Sequence, residues 1–368
     1  MTLSERLKYA RGRTGLTLKQ VVERTGIGES SLSEFENGKR QPRLHQLQCL
    51  ADAYRRSIAF LLGEGEIPRE VVLWRERPDP ATSSEIEAEF LKLCQQYHNL
   101  EVWCAERRPC ALPEASGHPE SFEYRDAERL AYQVRSELRL GDRPGRSLIT
   151  VLDEVCGVKL FHLSFDPTGT AASAVSDTFG AAVLLNAKNV RWRRNFDLGH
   201  ELFHLMTWNI FRSSDAGDGV QASENEEKFA TCFASHLLMP GDVTRLALNE
   251  VAKEGAITFS DVFKIARQFD VSVEALLWRI HFLYNRDQED TRRDIERYRK
   301  VGDVWEGRDH DEPPRRPARF EALARQALRQ GQISQGRLAE YLGISRKQAM
   351  KIAEQEARDD EEIQISPA

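Results

Sequence analysis

The chain of 368 residues is poor in cysteine, with 6, and in methionine, with 4, and only 8% of its residues are aromatic. The cysteines at 49, 94, 104, 110, 156 and 232 are irregularly spaced, which argues against a disulfide framework and predicts reduced thiols. Cys94, His98, Cys104 and Cys110 could be read as metal ligands, but their spacing matches no familiar zinc pattern, so they are expected to be scattered helix and loop residues. No apolar run approaches the roughly 18 residues of a membrane span. The first residues, MTLSERLKYARGRTG, lack the apolar core and small-residue cleavage site of a secretory signal. A cytoplasmic protein without membrane partners is expected. With 40% apolar and 30% charged residues it should be globular, and its length calls for two to four domains.

The net charge of -6 is unevenly spread. Residues 1–64 hold 11 Lys and Arg against 7 Asp and Glu, and residues 315–352 hold 9 against 2, so the centre is acidic. Two basic ends around an acidic middle suit a protein that touches nucleic acid at its ends. A solvated basic helix gives the same sum, so charge alone leaves that role open.

Residues 1–64 read as short helices with tight turns. Thr17 to Gln20 has the capping-box form, and the helix it opens stops at Gly26. A second short helix follows from Gly28 to Gly38, with Leu32 and Phe35 facing inward. Two short helices around a glycine turn are the helix-turn-helix pattern. Residues 65–124 are a linker and a helical segment. The linker part, 63–83, is expected to dock through Val71, Val72, Leu73 and Trp74. Two strands are expected, Val158 to Ser164 and Thr178 to Asn186, beside helices over 194–210, 223–239 and 262–285, which makes an α+β domain within 125–285. Residues 213–222 read as a polar loop. Residues 286–318 read as a charged linker, 319–357 as helical, and 358–368 as an acidic tail. One internal repeat stands out: Thr17 to Ile27 and Ser334 to Ile344 share a hydroxyl cap, apolar positions and a terminal Gly-Ile. It suggests a second helix-turn-helix over 333–353, with a helical hairpin as the alternative.

The sharpest signal is HELFH, His200 to His204. Residues four apart share one helix face, so His200 and His204 can hold one metal ion with Glu201 beside the open position. The chain's own composition predicts only about 0.035 such patterns by chance. Asn195 or Asp197 is expected at the helix start. A catalytic zinc needs a third protein ligand. Ser223 to Glu226 reads as the capping-box start of a neighbouring helix, and Glu227 is chosen as that ligand, while Glu226 and Glu224 are rivals expected to cap the helix or face solvent.

RRNFDLGHELFH, Arg193 to His204, followed by EKFATCFASHLLMP, Glu227 to Pro240, resembles the ImmA/IrrE family of zinc metallopeptidases. The resemblance covers roughly 125–285. It implies a small zincin-like α+β metallopeptidase domain within a mainly α chain, with Zn2+ on His200, His204 and Glu227, and Glu201 as the catalytic base. Phe203 stands where glycine is common and is expected to narrow the site. Thr231 stands where asparagine is common and is expected to alter support for a histidine. The oxyanion donor is not identified; Arg194 is one candidate, and His236 is expected to be structural or exposed. A substrate peptide is expected along an edge strand at 180–186.

ENGKRQP, Glu36 to Pro42, makes the all-α domain at 1–64 resemble the Xre/Cro type of helix-turn-helix. By that resemblance Glu29, Ser30 and Glu34 face bases with Ser31 and Ser33 beside them, while Asn37, Lys39, Arg40 and Arg43 form the turn that meets phosphates. Leu18 stands where a phosphate-contacting glutamine is frequent. Two carboxylates in the reading face imply either selectivity or weak DNA binding. Dimerisation or protein recognition is the alternative use of this domain. The function implied is a regulator that binds operator DNA, as a homodimer, fused to an endopeptidase. Its expected substrate is a helix-turn-helix repressor or antitoxin in a stress, phage or mobile-element response, or the chain itself at the 63–83 or 286–318 stretch. The alternative is a non-catalytic DNA-binding regulator or antitoxin whose zincin-like domain serves as a sensor or interaction module.

Overall fold

In the computed structural model, residues 1–63, 70–168, 170–212, 221–252, 256–306 and 311–359 are described. Most of the polar loop (213–220) and most of the acidic tail (360–368) lie outside them. None of the described helices is long and apolar enough to cross a membrane.

The N-terminal unit is five helices: α1 (Leu3–Arg13), α2 (Leu18–Thr25), α3 (Glu29–Glu36), α4 (Leu44–Ala53) and α5 (Ile58–Leu62). The predicted Thr17–Gln20 capping box forms, and Gly26 closes α2 at φ 69°, a left-handed conformation that suits glycine. Leu7, Val21, Leu32, Phe35 and Leu50 belong to a core of its own.

The central layer is a four-stranded sheet of order β1-β3-β4-β2, with β1 (Glu70–Trp74), β2 (Lys159–Leu163), β3 (Ala172–Ser176) and β4 (Gly180–Asn186). β1 and β4 flank β3 antiparallel, and β2 runs parallel to β4. Two of these strands depart from expectation. β1 lies inside the presumed linker, where the apolar run Val71 to Trp74 docks by strand pairing. β3 was missed because ASAVS is short and built of small residues. Side chains alternate across the sheet. Leu160, Ala181, Val183 and Leu185 face a core built with α7 (Tyr124–Glu137), α9 (Arg191–Met206), α11 (Glu224–Leu238), α13 (Phe259–Phe269) and α14 (Val273–Tyr284). Phe161, Ala172, Ala182 and Leu184 face the opposite core, filled by α6 (Pro80–Trp103) and the C-terminal helices α16 (Ala318–Arg329), α17 (Gln335–Leu342) and α18 (Arg346–Asp359). The short α8 (Leu148–Thr150), α10 (Trp208–Phe211) and α12 (Gly241–Val251) complete the first side. The stretch expected as a charged linker contains α15 (Gln288–Glu306), whose Ile295 and Tyr298 are buried in that first core. Its charges form pairs three residues apart, such as Arg292–Glu289, so a high charge density here marks a solvated helix face.

The N-terminal unit sits on α6 and β1 through ion pairs: Arg24 with Glu85, Arg55 with Glu89, and Arg56 with Glu70, the last bidentate and buried. The C-terminal helices are tied in by a buried charge cluster. Glu101 accepts from Arg319 at 2.6 Å and from Lys159 at 3.0 Å, and Tyr97 donates to Asp153 at 2.8 Å. Removing one partner of such a group strands the others without compensation. Glu101→Gln should therefore lower the unfolding free energy by about 3–5 kcal/mol in a denaturant titration, and a loss under about 1 kcal/mol would show that the cluster is not a structural tie.

Candidate metal centre and nucleic-acid interface

The HELFH segment lies on α9 as expected, but the helix begins at Arg191 behind Val190. Asn195 and Asp197 therefore lie inside it and cap nothing. Asn195 donates to the Asp270 carboxylate, and Asp197 accepts from Arg75, Arg193 and Asn189. These buried polar groups tie α9 to its surroundings. Leu198 and Leu202 turn the helix onto the core. Gly199 lets α9 approach α11, since a Cβ there would stand 3.3 Å from the Ala234 Cβ. That close passage brings Glu227, at the start of α11, over the two histidines.

His200 Nε2 lies 3.0 Å from a Glu227 oxygen, His204 Nε2 lies 3.4 Å from the other, and the two Nε2 atoms are 3.2 Å apart. One donor atom from each of the three residues falls within 4.8 Å of the others, a two-nitrogen, one-carboxylate set that fits zinc. His200 and Glu201 are fully buried, while Glu227 is partly open. Among the described residues neither carboxylate oxygen of Glu201 makes a well-formed hydrogen bond, although the Ser173 hydroxyl on β3 lies near enough to lower its pKa, so a buried acceptor stands beside the cluster.

Sequence reasoning missed what holds His204. Glu226 is buried; it neither completes the capping box, of which only the Ser223 half forms, nor faces solvent. Its carboxylate meets His204 Nδ1 at 2.9 Å and accepts from the two terminal Arg212 guanidinium nitrogens at 2.6 and 2.8 Å. A carboxylate on the far ring nitrogen fixes the imidazole orientation with Nε2 towards the cluster. The only signal for it was its place next to Glu227 at a helix start. Glu224 is exposed and pairs with Lys228. Thr231 is exposed on α11 and lines the adjoining groove, without a hydrogen bond to either histidine. Phe203 does not narrow the site: it points into an aromatic cluster with Phe122, Phe211 and Phe233.

Burial pushes the Glu201 carboxyl up to about 7, and burial takes His200 down to about 3. For Glu227 burial raises the pKa, but hydrogen bonds from His200 and His204 outweigh it and leave the group at about 2. His204 is likewise pulled down by burial, yet Glu226 and then Glu227 raise it to about 9. Among the other candidates, Arg194 is committed to Asn189 and Asp311. His236 sits on the groove wall, 3.3 Å from Glu128, and burial holds it down at about 4. β4 is not an edge strand, because β3 and β2 occupy both of its hydrogen-bonding sides, so no peptide can add to 180–186. The open edges are β1 and β2. Of the two stretches considered for self-cleavage, Glu70–Trp74 is a buried strand and Gln288–Glu306 a helix, whereas 75–79 and 311–317 are irregular and largely exposed.

At the other end, α3 keeps its side-chain pairs within the N-terminal unit. Glu29 and Ser30 are exposed at its start, and Ser31, Ser33 and Glu34 are half-buried. Glu34 is paired with Arg40 at 3.8 Å, which offsets one of the two reading-face carboxylates. Asn37 is spent on the helix end, donating to the Ser33 carbonyl at 2.8 Å. Lys39 and Arg43 are exposed.

Because the raised His204 pKa exceeds its unfolded value near 6.5, its pairing stabilises metal-free protein fully below about pH 6.5, and that stability is lost as the pH rises through about 9. Thermal melts of chelator-treated protein should show that decline, and Glu226→Gln should flatten it; an unchanged decline would remove Glu226 as its source.

Residues 2–59 match the helix-turn-helix domain family, and residues 153–281 match the IrrE N-terminal-like domain, a peptidase family. Over 70 residues the chain is 37% identical to the HTH-type transcriptional regulator ImmR of Bacillus subtilis (strain 168), covering 19% of this chain and 55% of that protein. Over 88 residues it is 31% identical to the uncharacterized HTH-type transcriptional regulator YobD of the same organism, covering 24% of this chain and 70% of that protein. The chain thus spans about half the length of the first of these relatives.

Proposed function

The chain belongs to the helix-turn-helix transcriptional regulators and carries an IrrE N-terminal-like domain, and from that premise we propose that it joins operator binding to zinc-dependent proteolysis. The observation that carries this reading is the convergence of His200, His204 and Glu227 within 4.8 Å beside a buried Glu201 whose carboxylate makes no well-formed hydrogen bond among the described residues. In this reading His200, His204 and Glu227 hold the ion, and Glu226 with Arg212 keeps His204 turned towards it. Zinc, when bound, supplies a Lewis acid that polarises a scissile carbonyl and acidifies water. Glu201 takes the proton of the attacking water and delivers it to the leaving amine, a task suited to a carboxyl held near neutrality. The groove beside Glu227, lined by Arg75, Phe196, Thr231 and Trp278, receives the substrate chain. The substrate assigned is a helix-turn-helix repressor or antitoxin, the class that the family resemblance implies, cleaved in a stress, phage or mobile-element response.

In the N-terminal unit Glu29, Ser30 and Glu34 meet base edges, with Ser31 and Ser33 beside them, and Lys39, Arg40 and Arg43 meet phosphates. Such units read paired half-sites as dimers, so the DNA-bound form is a homodimer.

Metal analysis should find one zinc per chain, lost in His200→Ala and kept in Glu201→Gln. Full zinc in His200→Ala would refute the ligand assignment. In cells, Glu201→Gln should let one protein persist that the wild type removes, and identical proteomes would refute the peptidase reading. For DNA, the double variant Lys39→Ala, Arg43→Ala should weaken operator binding and lower its salt slope by about 2, as read by fluorescence anisotropy. An unchanged slope would move this unit to protein recognition.

A further inference from the structure

We propose that residues 318–359 form a second helix-turn-helix that binds duplex DNA through Arg346, Lys347 and Lys351. The first argument is structural repetition. With Thr17 set against Ser334, α1–α2–α3 align in register with α16–α17–α18 as a pattern of caps, turns and core positions. Thr17 and Ser334 each cap their helix with a side-chain oxygen, and Gly26 and Gly343 each end it in the left-handed region, at φ 69° and 65°. Ala10, Val21 and Leu32 are buried in one unit, and Ala327, Leu338 and Ala349 are buried in the other. Agreement through the third helix goes beyond a hairpin, which would end after the second.

The second argument is where the charge sits. Most basic residues of this end are used internally. Arg316 donates to the Tyr341 carbonyl, Arg319 holds Glu101, Arg325 and Arg329 hold Glu356, and Arg337 pairs with Glu340. The Glu356 pairs, with buried Ala349, press one face of α18 onto α16. The opposite face starts with Arg346, Lys347, Met350 and Lys351, all exposed, and among the described residues none of these cations has a carboxylate partner. The spacing i, i+1, i+4, i+5 places them on one stripe. Glu354, the first carboxylate on that stripe, comes two turns after Arg346, past the N-terminal part that enters a groove in this motif. In the aligned unit the same positions hold Glu29, Ser30, Ser33 and Glu34. The stripe therefore bears positive charge where the N-terminal unit bears carboxylates, which suits phosphates. α16 and α17 dock on α6, with Trp103 stacked on Tyr341 and Gln96 beside Glu340, so α18 is the outer helix of the unit.

The test uses the full chain and a random-sequence duplex of about 30 base pairs, read by fluorescence anisotropy across a salt series. The triple variant Arg346→Ala, Lys347→Ala, Lys351→Ala should bind at least about tenfold more weakly at low salt and lower the salt slope by about 3, in the wild-type background and in one lacking Lys39, Arg40 and Arg43. A control triple on α15, Arg292→Ala, Arg293→Ala, Arg297→Ala, should leave both values unchanged. Unchanged helicity by circular dichroism shows that the loss is not unfolding. The proposal is overturned if the α18 variant keeps its affinity and slope, if the α15 control loses as much, or if RNA outcompetes duplex DNA at equal phosphate. Zinc content and proteolysis are not expected to change, so the outcome stands apart from the peptidase reading.

Discussion

A sheet of four short strands with apolar side chains on both faces has to be covered on both sides, and that requirement organises the chain. One face takes α7, α9 and α11, and this packing places the two histidines and Glu227 together. The other face takes α6 and the C-terminal helices. Residues more than two hundred positions apart in the chain, Glu101 and Arg319, thereby become a buried ion pair. The sheet links the ends of the protein to the cluster at its centre: Arg75, directly after β1, reaches Asp197 on the histidine helix, and Arg56 of the N-terminal unit reaches Glu70 at the start of β1.

The candidate metal centre shows how much of its chemistry depends on that packing. Two histidines four residues apart on a helix make half a site; the other half is a carboxylate from a helix that can approach only because Gly199 faces Ala234. Around this cluster the ionisable groups are pushed in opposite directions. Burial keeps Glu201 protonatable near neutrality, while hydrogen bonds from the histidines hold Glu227 ionised. A carboxylate ligand held ionised beside an acceptor held near neutrality suits metal-assisted hydrolysis.

Charge at the two ends carries different meanings once the partners are known. The N-terminal excess is partly internal, because Arg24, Arg55 and Arg56 hold the unit to α6 and β1, and Arg40 is paired with Glu34. The C-terminal excess is also largely internal, and the exposed cations without a carboxylate partner among the described residues are Arg315 and a compact stripe at the start of α18. Net charge over a segment cannot separate these cases, since it counts a buried ion pair's cation and a phosphate-ready lysine alike.

The sequence by itself determined the local features: the helix carrying HELFH, the caps at Thr17 and Ser334, the glycine stops and the Thr17–Ile27 repeat, and it singled out Glu227 as the candidate third ligand that lies beside the histidines. Each depends on a few residues within one or two turns, where periodicity and capping act without help from the rest of the chain. Only the tertiary structure decided that Val71 to Trp74 is a sheet strand, that β4 is internal, that Glu226 with Arg212 holds His204, and that Phe203 fills the core rather than the site. These are contacts between residues distant in sequence. A carboxylate's partner and a strand's neighbours follow from how helices and sheet pack, and no short window of residues encodes that.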